Sequence, residues 1–550
     1  MLAKLLKQTD FKDYDDFSRN FQVMRPDNFN FAFDCIDALA ASSPDRTAMV
    51  WYSDDGREAV YSFAMMSALS DAAARFFASF GIGRGDPVML ILRRRAQFWI
   101  AILGLMKLGA VSIPATHLLT ADDVAYRNNA ASVAAILCTE EDSIVGTVDA
   151  AMDRSPTVRL RVKLGGPRPG WQSFDAGLDE FAQGPPPARL TENGDMMLLY
   201  FTSGTTGMPK MVAHNFIYPL GHISTARYWH RLHPDSLHLT LADTGWAKAA
   251  WGKIYGQWLC GAAIFAYDHS FFDVHRFLLA ISRHRVTSLC APPTVFRILA
   301  NSDLSKYDLG ALEHVSSAGE PLSEELFSRF RDMTGLSIHE AYGQTETTPL
   351  IMNTQYAKPR PGSLGRPNPN YRLAFLDDDG NEVPPGGEGE ICVRSKPGEM
   401  GMFMGYYRDE GLTAHAWRGG VYHTGDVAWQ DSDGYIWFIG RVDDIIKSAG
   451  YRIGPFEIES VLLKHPAVLE CAVTGVPDSL RGQAIKASVV LREGYEPSDG
   501  LKGELRRHVR AMTSAYKTPR QIEFVDDLPK TVSGKIQRAG RRPSPPAADR

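Results

Sequence analysis

Met196-Met197-Leu198-Leu199-Tyr200-Phe201-Thr202-Ser203-Gly204-Thr205-Thr206-Gly207-Met208-Pro209-Lys210 is the stretch from which the rest of the chain is read. An apolar strand, Met196–Phe201, runs into hydroxyls and glycines and ends on a lysine. Glycines let the backbone approach a polyphosphate closely and take up positive φ. Successive N–H groups then form an anion nest, to which the hydroxyls add donors and Lys210 a full charge. This is not the GK[ST] phosphate loop, because Met208 and Pro209 separate Gly207 from Lys210.

Around that loop the texture is α/β. From about residue 30 to 360, short apolar runs alternate with helical stretches, as in Pro87–Leu92 followed by Phe98–Leu108, and then Ala134–Cys138. Such alternation predicts layers with largely parallel sheets. Gly and Pro cluster at 164–189, read as a linker or loop excursion. Short strands punctuated by Asp379-Gly380, Gly386-Gly387 and Asp433-Gly434 predict a β-rich subdomain over about 360–440. A helix starting at Pro455, strands at Leu469–Gly475 and Ala484–Leu491, a helix near 501–513 and a strand at Gln521–Val525 predict a small α+β domain. The tail, 541–550, reads as disordered. The fold expected is a large N-terminal domain, 1–440, a hinge at 441–443 and a mobile C-terminal domain, 444–540.

At 550 residues the chain is too long for one core. Its formal net charge of -5 does not suggest a nucleic-acid partner. The six cysteines have neither disulfide nor zinc spacing and read as buried thiols. His214, His222, His230 and His233 crowd one region without metal-site spacing and read as structural. The stretch Phe98–Leu108 is too short to span a membrane and contains Lys107. The N-terminus lacks the h-region of a signal peptide and turns acidic by Asp10, which reads as cytoplasmic.

Further motifs follow the loop in order: Ser317-Ala318-Gly319-Glu320-Pro321, Glu340-Ala341-Tyr342-Gly343-Gln344-Thr345-Glu346-Thr347, Tyr422-His423-Thr424-Gly425-Asp426, Gly440-Arg441-Val442-Asp443-Asp444, Gly450-Tyr451-Arg452-Ile453-Gly454-Pro455 and Pro529-Lys530-Thr531-Val532-Ser533-Gly534-Lys535. Together with the loop, the set resembles the signature of the adenylate-forming superfamily over roughly residues 30 to 540. Ala242-Asp243-Thr244-Gly245-Trp246-Ala247-Lys248 and Tyr516-Lys517-Thr518-Pro519-Arg520 resemble its medium-chain acyl-CoA synthetase branch.

The resemblance implies a role for each motif. Thr202, Ser203, Gly204, Thr205, Thr206, Gly207 and Lys210 cradle the phosphates of ATP. Gly319, Glu320 and Pro321 line the adenine and Tyr342 stacks on it, while Glu340, Ala341, Gly343, Gln344 and Thr345 belong to the same nucleotide site, Thr345 near the phosphates. Asp426 and Arg441 hold the ribose. Glu346 binds Mg²⁺. Lys535, with Lys210 and Thr345, acts in adenylation, and Asp443 is the hinge for a rotation that presents a coenzyme A site at Ala449, Gly450, Tyr451, Arg452, Arg481 and Arg520. No nucleophilic triad is required, because the acyl-adenylate is already activated. Acylation of Lys535 would switch the first step off.

Trp246 and Gly343 are assigned to the acyl pocket. Acetate-selective relatives carry tryptophan at the position of Gly343, so glycine implies room for a longer acid, about C4–C8, with branched or aryl acids also possible. Two other readings are an amino-acid or aryl-acid adenylating enzyme and a catalytically silent nucleotide-binding regulator. Lys535, Glu346 and Asp443, all present, speak against the regulator.

Overall fold

The computed structural model describes residues 1–202, 208–320, 322–448, 451–478, 481–530 and 536, with the side chain of Arg452 left aside. Contacts divide the chain into two compact units. One comprises Met1–Leu322, Leu326–Arg372 and Arg394–Val421; the other comprises Ser323–Glu325, Leu373–Val393 and the chain from Tyr422 onward. The sheet between about 360 and 440 therefore groups with the C-terminal residues, whereas the sequence placed it with 1–440.

The first unit holds two large sheets. In the eight-stranded sheet, Met196–Thr202 lies between Lys210–Asn215 and Val111–Pro114, followed by Pro87–Ile91, Ala135–Cys138 and Leu160–Lys163. In the nine-stranded sheet, Leu237–Thr240, Ser288–Cys290, His314–Ala318 and Ile338–Tyr342 run parallel side by side. These strands are almost wholly buried, as expected for parallel strands covered on both faces.

Local sequence explains the layers. Ser62 caps the helix Phe63–Ser79 by accepting from Met65 N, and Phe63, Met66, Ala73, Phe76 and Phe77 form its buried stripe. The helix Gln97–Leu108 packs along it and ends at Gly109 in the left-handed region, φ 75. It has 12 residues, and among the described residues no helix is long and apolar enough to cross a membrane. Its Lys107 is fully buried, with Nζ 2.8 Å from Asp37 and 2.5 Å from Asp71. The two helices approach closely at Gly104, where a Cβ would lie 2.7 Å from Ala73 Cβ. Gly104→Ala should therefore cost about 1–3 kcal/mol by overpacking. Thermal unfolding checks this through a lowered Tm.

The excursion at 164–189 departs from expectation. Phe174–Glu180 is a helix capped by Ser173, and Phe174 packs against Phe76 and Phe77. Its few apolar positions sit between glycines and prolines, so the signal for it comes from a distant helix and not from local periodicity. All six cysteines are buried thiols outside any disulfide.

In the second unit, Leu373–Leu376, Glu388–Val393, Tyr422–Gln430 and Ile436–Arg441 form an antiparallel sheet. A further sheet pairs Gly482–Leu491 with Val468–Asp478 and Gln521–Phe524. The helices Pro455–Leu462 and Asp499–Met512 cover it through Ile458, Leu462, Leu505 and Val509. These elements match the expected ones to within a few residues. The tail 541–550 lies outside the described residues.

Candidate functional site

Thr202 and Lys210 face each other across antiparallel strands at the neck of the glycine loop. Ser203, Gly204, Thr205, Thr206 and Gly207 lie outside the described residues. Lys210 Nζ sits 5.3 Å from the centre of the Tyr406 ring. The Tyr406 hydroxyl donates to Glu346 Oε1 at 2.8 Å. The short strand Gly405–Tyr406, paired to Lys210–Asn215, places that tyrosine. A lysine, a phenol and a carboxylate from three separate chain segments thus meet beside the loop. Tyr406 was not found from the sequence, because Gly405-Tyr406-Tyr407 carries no motif of its own.

Gly319–Glu320 and Tyr342–Glu346 follow the C-terminal ends of two adjacent parallel strands, with Ala318 opposite Ala341. That end of an open parallel sheet is where ligands of α/β proteins sit. Tyr342, Gly343, Gln344, Thr345 and Glu346 are half-buried there, while Pro321 lies outside the described residues. Thr345 is anchored through its carbonyl, 2.8 Å from His214 Nε2. Glu340 points inward instead: it accepts from Leu322 N at 3.3 Å, and burial pushes its carboxyl up to about 8. It is a neutral acid at pH 7 that ties the two loops together.

The expected acyl pocket holds a second difference. Trp246 is half-buried in the turn that leads into the helix Lys248–Lys253. A Cβ on Gly343 would lie 2.7 Å from Thr348 O and 2.9 Å from Trp251 Cη2. The space beside the glycine is thus occupied by a tryptophan from that helix, which the sequence reading did not single out.

Behind Trp251 lies a buried polar-aromatic cluster. His214 stacks on Tyr218 with ring centres 3.9 Å apart, Tyr218 meets His222 edge-on at 4.8 Å, and Tyr255 lies 6.0 Å from Tyr218 and 5.8 Å from His222. The hydroxyls of Tyr200, Tyr218 and Tyr255, both ring nitrogens of His222, His214 Nδ1 and Trp251 Nε1 have no hydrogen-bond partner. The Trp251 indole is near enough to Tyr218 to lower its pKa slightly, but the pair falls short of hydrogen-bond geometry. Burial keeps every group neutral, holding His222 well below the ordinary histidine range and Tyr218 and Tyr255 well above the tyrosine range. Each unpaired buried polar group costs about 1–3 kcal/mol.

In the second unit, Asp426 and Arg441 are directly opposite on paired strands, with Arg441 Nη1 3.5 Å from Asp426 and Nε 3.1 Å from Asp443. Glu390 supports the turn before Asp426 by accepting from Gly425 N and from His423 Nδ1, each at 2.8 Å. Cys392 Sγ lies 3.4 Å from the same nitrogen. Tyr451 is half exposed and stacks on Tyr516, ring centres 4.1 Å apart at 11°. Arg481 N donates to Asp478 at 3.0 Å, and Arg520 N donates to Ile485 O at 2.9 Å. Ala449, Gly450 and Lys535 lie outside the described residues.

His214, His222 and His230 are buried, and His230 Nδ1 lies 2.9 Å from Ser316 Oγ. A solvent-open cleft of about 670 Å³, lined among others by Asp149, Arg161 and Arg168, contains none of the motif residues.

Comparison with known proteins bears on both units. A family model described as AMP-binding enzyme matches residues 36–407, and one described as AMP-binding enzyme C-terminal domain matches 457–535. The mouse (Mus musculus) acyl-coenzyme A synthetase ACSM3 is 37% identical over 539 residues, covering 96% of this chain and 92% of its own. The human (Homo sapiens) acyl-coenzyme A synthetase ACSM4 is 40% identical over 526 residues, covering 93% and 90%. Among solved structures, that of the anthranilate CoA ligase AuaEII in complex with anthranoyl-AMP is similar at TM-score 0.85 and 30% identity, over 94% of this chain and 97% of that one.

Both synthetases are named as mitochondrial, which overturns the cytoplasmic location read from the N-terminus. Leu5, Leu6, Phe11 and Phe17 are buried in the fold, so the composition that was read for an address also serves core packing.

Proposed function

This chain belongs to the AMP-binding enzyme family, and on that footing we propose that it is an ATP-dependent acyl-CoA synthetase. It joins a carboxylate to AMP with release of pyrophosphate, then transfers the acyl group to coenzyme A with release of AMP. Similarity to two acyl-coenzyme A synthetases over at least 90% of each chain supports the reaction class. The observation that carries the site is the meeting of Lys210, Tyr406 and Glu346 beside the glycine loop.

The first step must bring two anions together. At about 4 Å, unit charges repel by about 4 kcal/mol at an effective dielectric near 20. Lys210 is assigned the β- and γ-phosphates and Lys535 the α-phosphate and the attacking carboxylate, where negative charge builds up. Thr345 is assigned a phosphate contact, and Tyr342 with Gly319 and Glu320 the adenine. Asp426, a carboxylate side chain that accepts hydrogen bonds, suits the two ribose hydroxyls, with Arg441 beside it.

The chemistry at Glu346 suits Mg²⁺: a hard carboxylate, one oxygen of which accepts from Tyr406, with the neighbouring Thr345 and the nucleotide phosphates assigned as its companions. Mg²⁺ bound there would offset phosphate charge. Tyr406→Phe should therefore raise the Mg²⁺ concentration needed for half-maximal rate by about tenfold. A titration at saturating ATP that showed no change would remove Tyr406 from this role.

For the second step, Asp443 is assigned the hinge between domains 1–440 and 444–540. Ala449, Gly450, Tyr451, Arg452, Arg481 and Arg520 are assigned to coenzyme A. The acid is placed at short to medium length, about C4–C8, beside Trp246 and Gly343. The stacked rings behind Trp251 and the likeness to an anthranilate CoA ligase favour a second reading, an aryl acid.

Pyrophosphate release with ATP and Mg²⁺ across straight, branched and aryl acids, followed by thioester formation on adding coenzyme A, tests the whole. Tight nucleotide binding with no pyrophosphate from any acid would leave the silent regulator as the answer.

A further inference from the structure

We propose that Tyr218, His222, Trp251 and Tyr255 form the far end of the acid site and bind a neutral hydrogen-bonding group, so that the preferred acid carries a hydroxyl or carbonyl remote from its carboxylate. This rests on the acyl-CoA synthetase reading above and names the substrate class of that same site.

Two contacts join the cluster to the motif that carries Thr345 and Glu346. Trp251 Cη2 comes within 2.9 Å of where a Gly343 Cβ would stand. His214 Nε2 lies 2.8 Å from Thr345 O, and its ring stacks on Tyr218. Seen from an acid whose carboxylate lies at that motif, Trp251 is the first of these groups and the other rings lie behind it.

The chemistry of those rings is unusual for an alkyl pocket. The Tyr218 and Tyr255 hydroxyls, both nitrogens of His222 and the Trp251 N–H are buried and without partners. A plain alkyl end would leave them so, whereas a hydroxyl can donate to an imidazole nitrogen and accept from a phenol or indole. Sites built to hydrogen-bond a substrate discriminate strongly against the analogue lacking that group, because their own polar atoms are then stranded. The sign of the charge is also constrained. None of the four is ionised at neutral pH, so a second carboxylate would find no cation among them. Lys248, on the same helix as Trp251, directs its Nζ to Ala318 O at 2.8 Å.

The test compares matched acids on the full-length enzyme: hexanoate against ω-hydroxyhexanoate, and benzoate against meta-hydroxybenzoate, with pyrophosphate release as the readout. In at least one pair, kcat/KM should favour the hydroxylated acid by about tenfold or more, equivalent to about 1.4 kcal/mol. Tyr218→Phe and Tyr255→Phe should bring that ratio toward unity. Ratios at or below one in both pairs with the wild-type enzyme overturn the proposal without recourse to any variant. So does a preference that persists unchanged in both phenylalanine variants. Those failures leave acid activation itself standing; absence of pyrophosphate with every acid would instead remove the ligase reading and this inference with it.

Discussion

Replacing Lys535 with alanine slows acyl-adenylate formation by about 100- to 1,000-fold and spares thioester formation from supplied acyl-adenylate. The magnitude is that of deleting one preorganised group that stabilises charge developing in a transition state. The first step builds negative charge at the α-phosphorus between two anions, so a missing cation there is felt in kcat. The second step attacks an already activated carbonyl with a thiol and has no need of that amine. Single-turnover assays of each half, the second begun with synthetic acyl-adenylate and coenzyme A, separate the two. Equal loss in both halves would contradict the division of labour. Acylating Lys535 should reproduce the alanine phenotype, because it removes the same charge.

Mild acid unfolds the protein, with the midpoint of thermal unfolding falling as pH drops below about 6.5, the ordinary histidine pKa. Burial holds His214 and His238 down to about 3 and His339 to about 4, and it keeps His222, His230 and His314 well below the usual range. These rings are neutral in the fold and protonate freely once it opens. Between about pH 3 and 6.5 the unfolded chain therefore binds more protons, and stability rises with pH across that window. Each ring contributes at most about 1.4 kcal/mol per pH unit. Half of them acting over two units would remove much of the about 5–15 kcal/mol that typically separates folded from unfolded chains.

Glu340 works in the opposite sense. Its raised pKa, about 8, lends stability below the ordinary carboxyl range that is lost as pH rises through 8. One such group does not cancel six. Calorimetry from pH 8 down to 4 measures the sum, and a flat midpoint from pH 7 to 4.5 would refute it.

The elements of the fold were largely legible because their periodicity is local. The strand before the glycine loop, the apolar helix after Pro87–Ile91 and the helix opening at Pro455 announce themselves through neighbours a few residues apart. The helix Phe174–Glu180 was missed because Phe76 and Phe77, which give it a place to pack, are remote in sequence. Tyr406, Trp251 and Glu390 were missed for the same reason. Each acts on a motif residue from another segment, and none belongs to a recurring pattern.

From the order of its residues alone, this protein was assigned its chemistry class: a glycine-hydroxyl loop, a carboxylate suited to a hard cation and ribose- and adenine-binding motifs follow one another along the chain. Tertiary structure alone decided what surrounds those groups. Gly343 signals room only until the distant Trp251 is seen beside it, and a set of tyrosines and histidines reads as ordinary core until their polar atoms are found together and unpaired. The physical reason is that a motif fixes which atoms are available locally, whereas packing between segments far apart in the chain sets the space and the hydrogen-bond partners they meet.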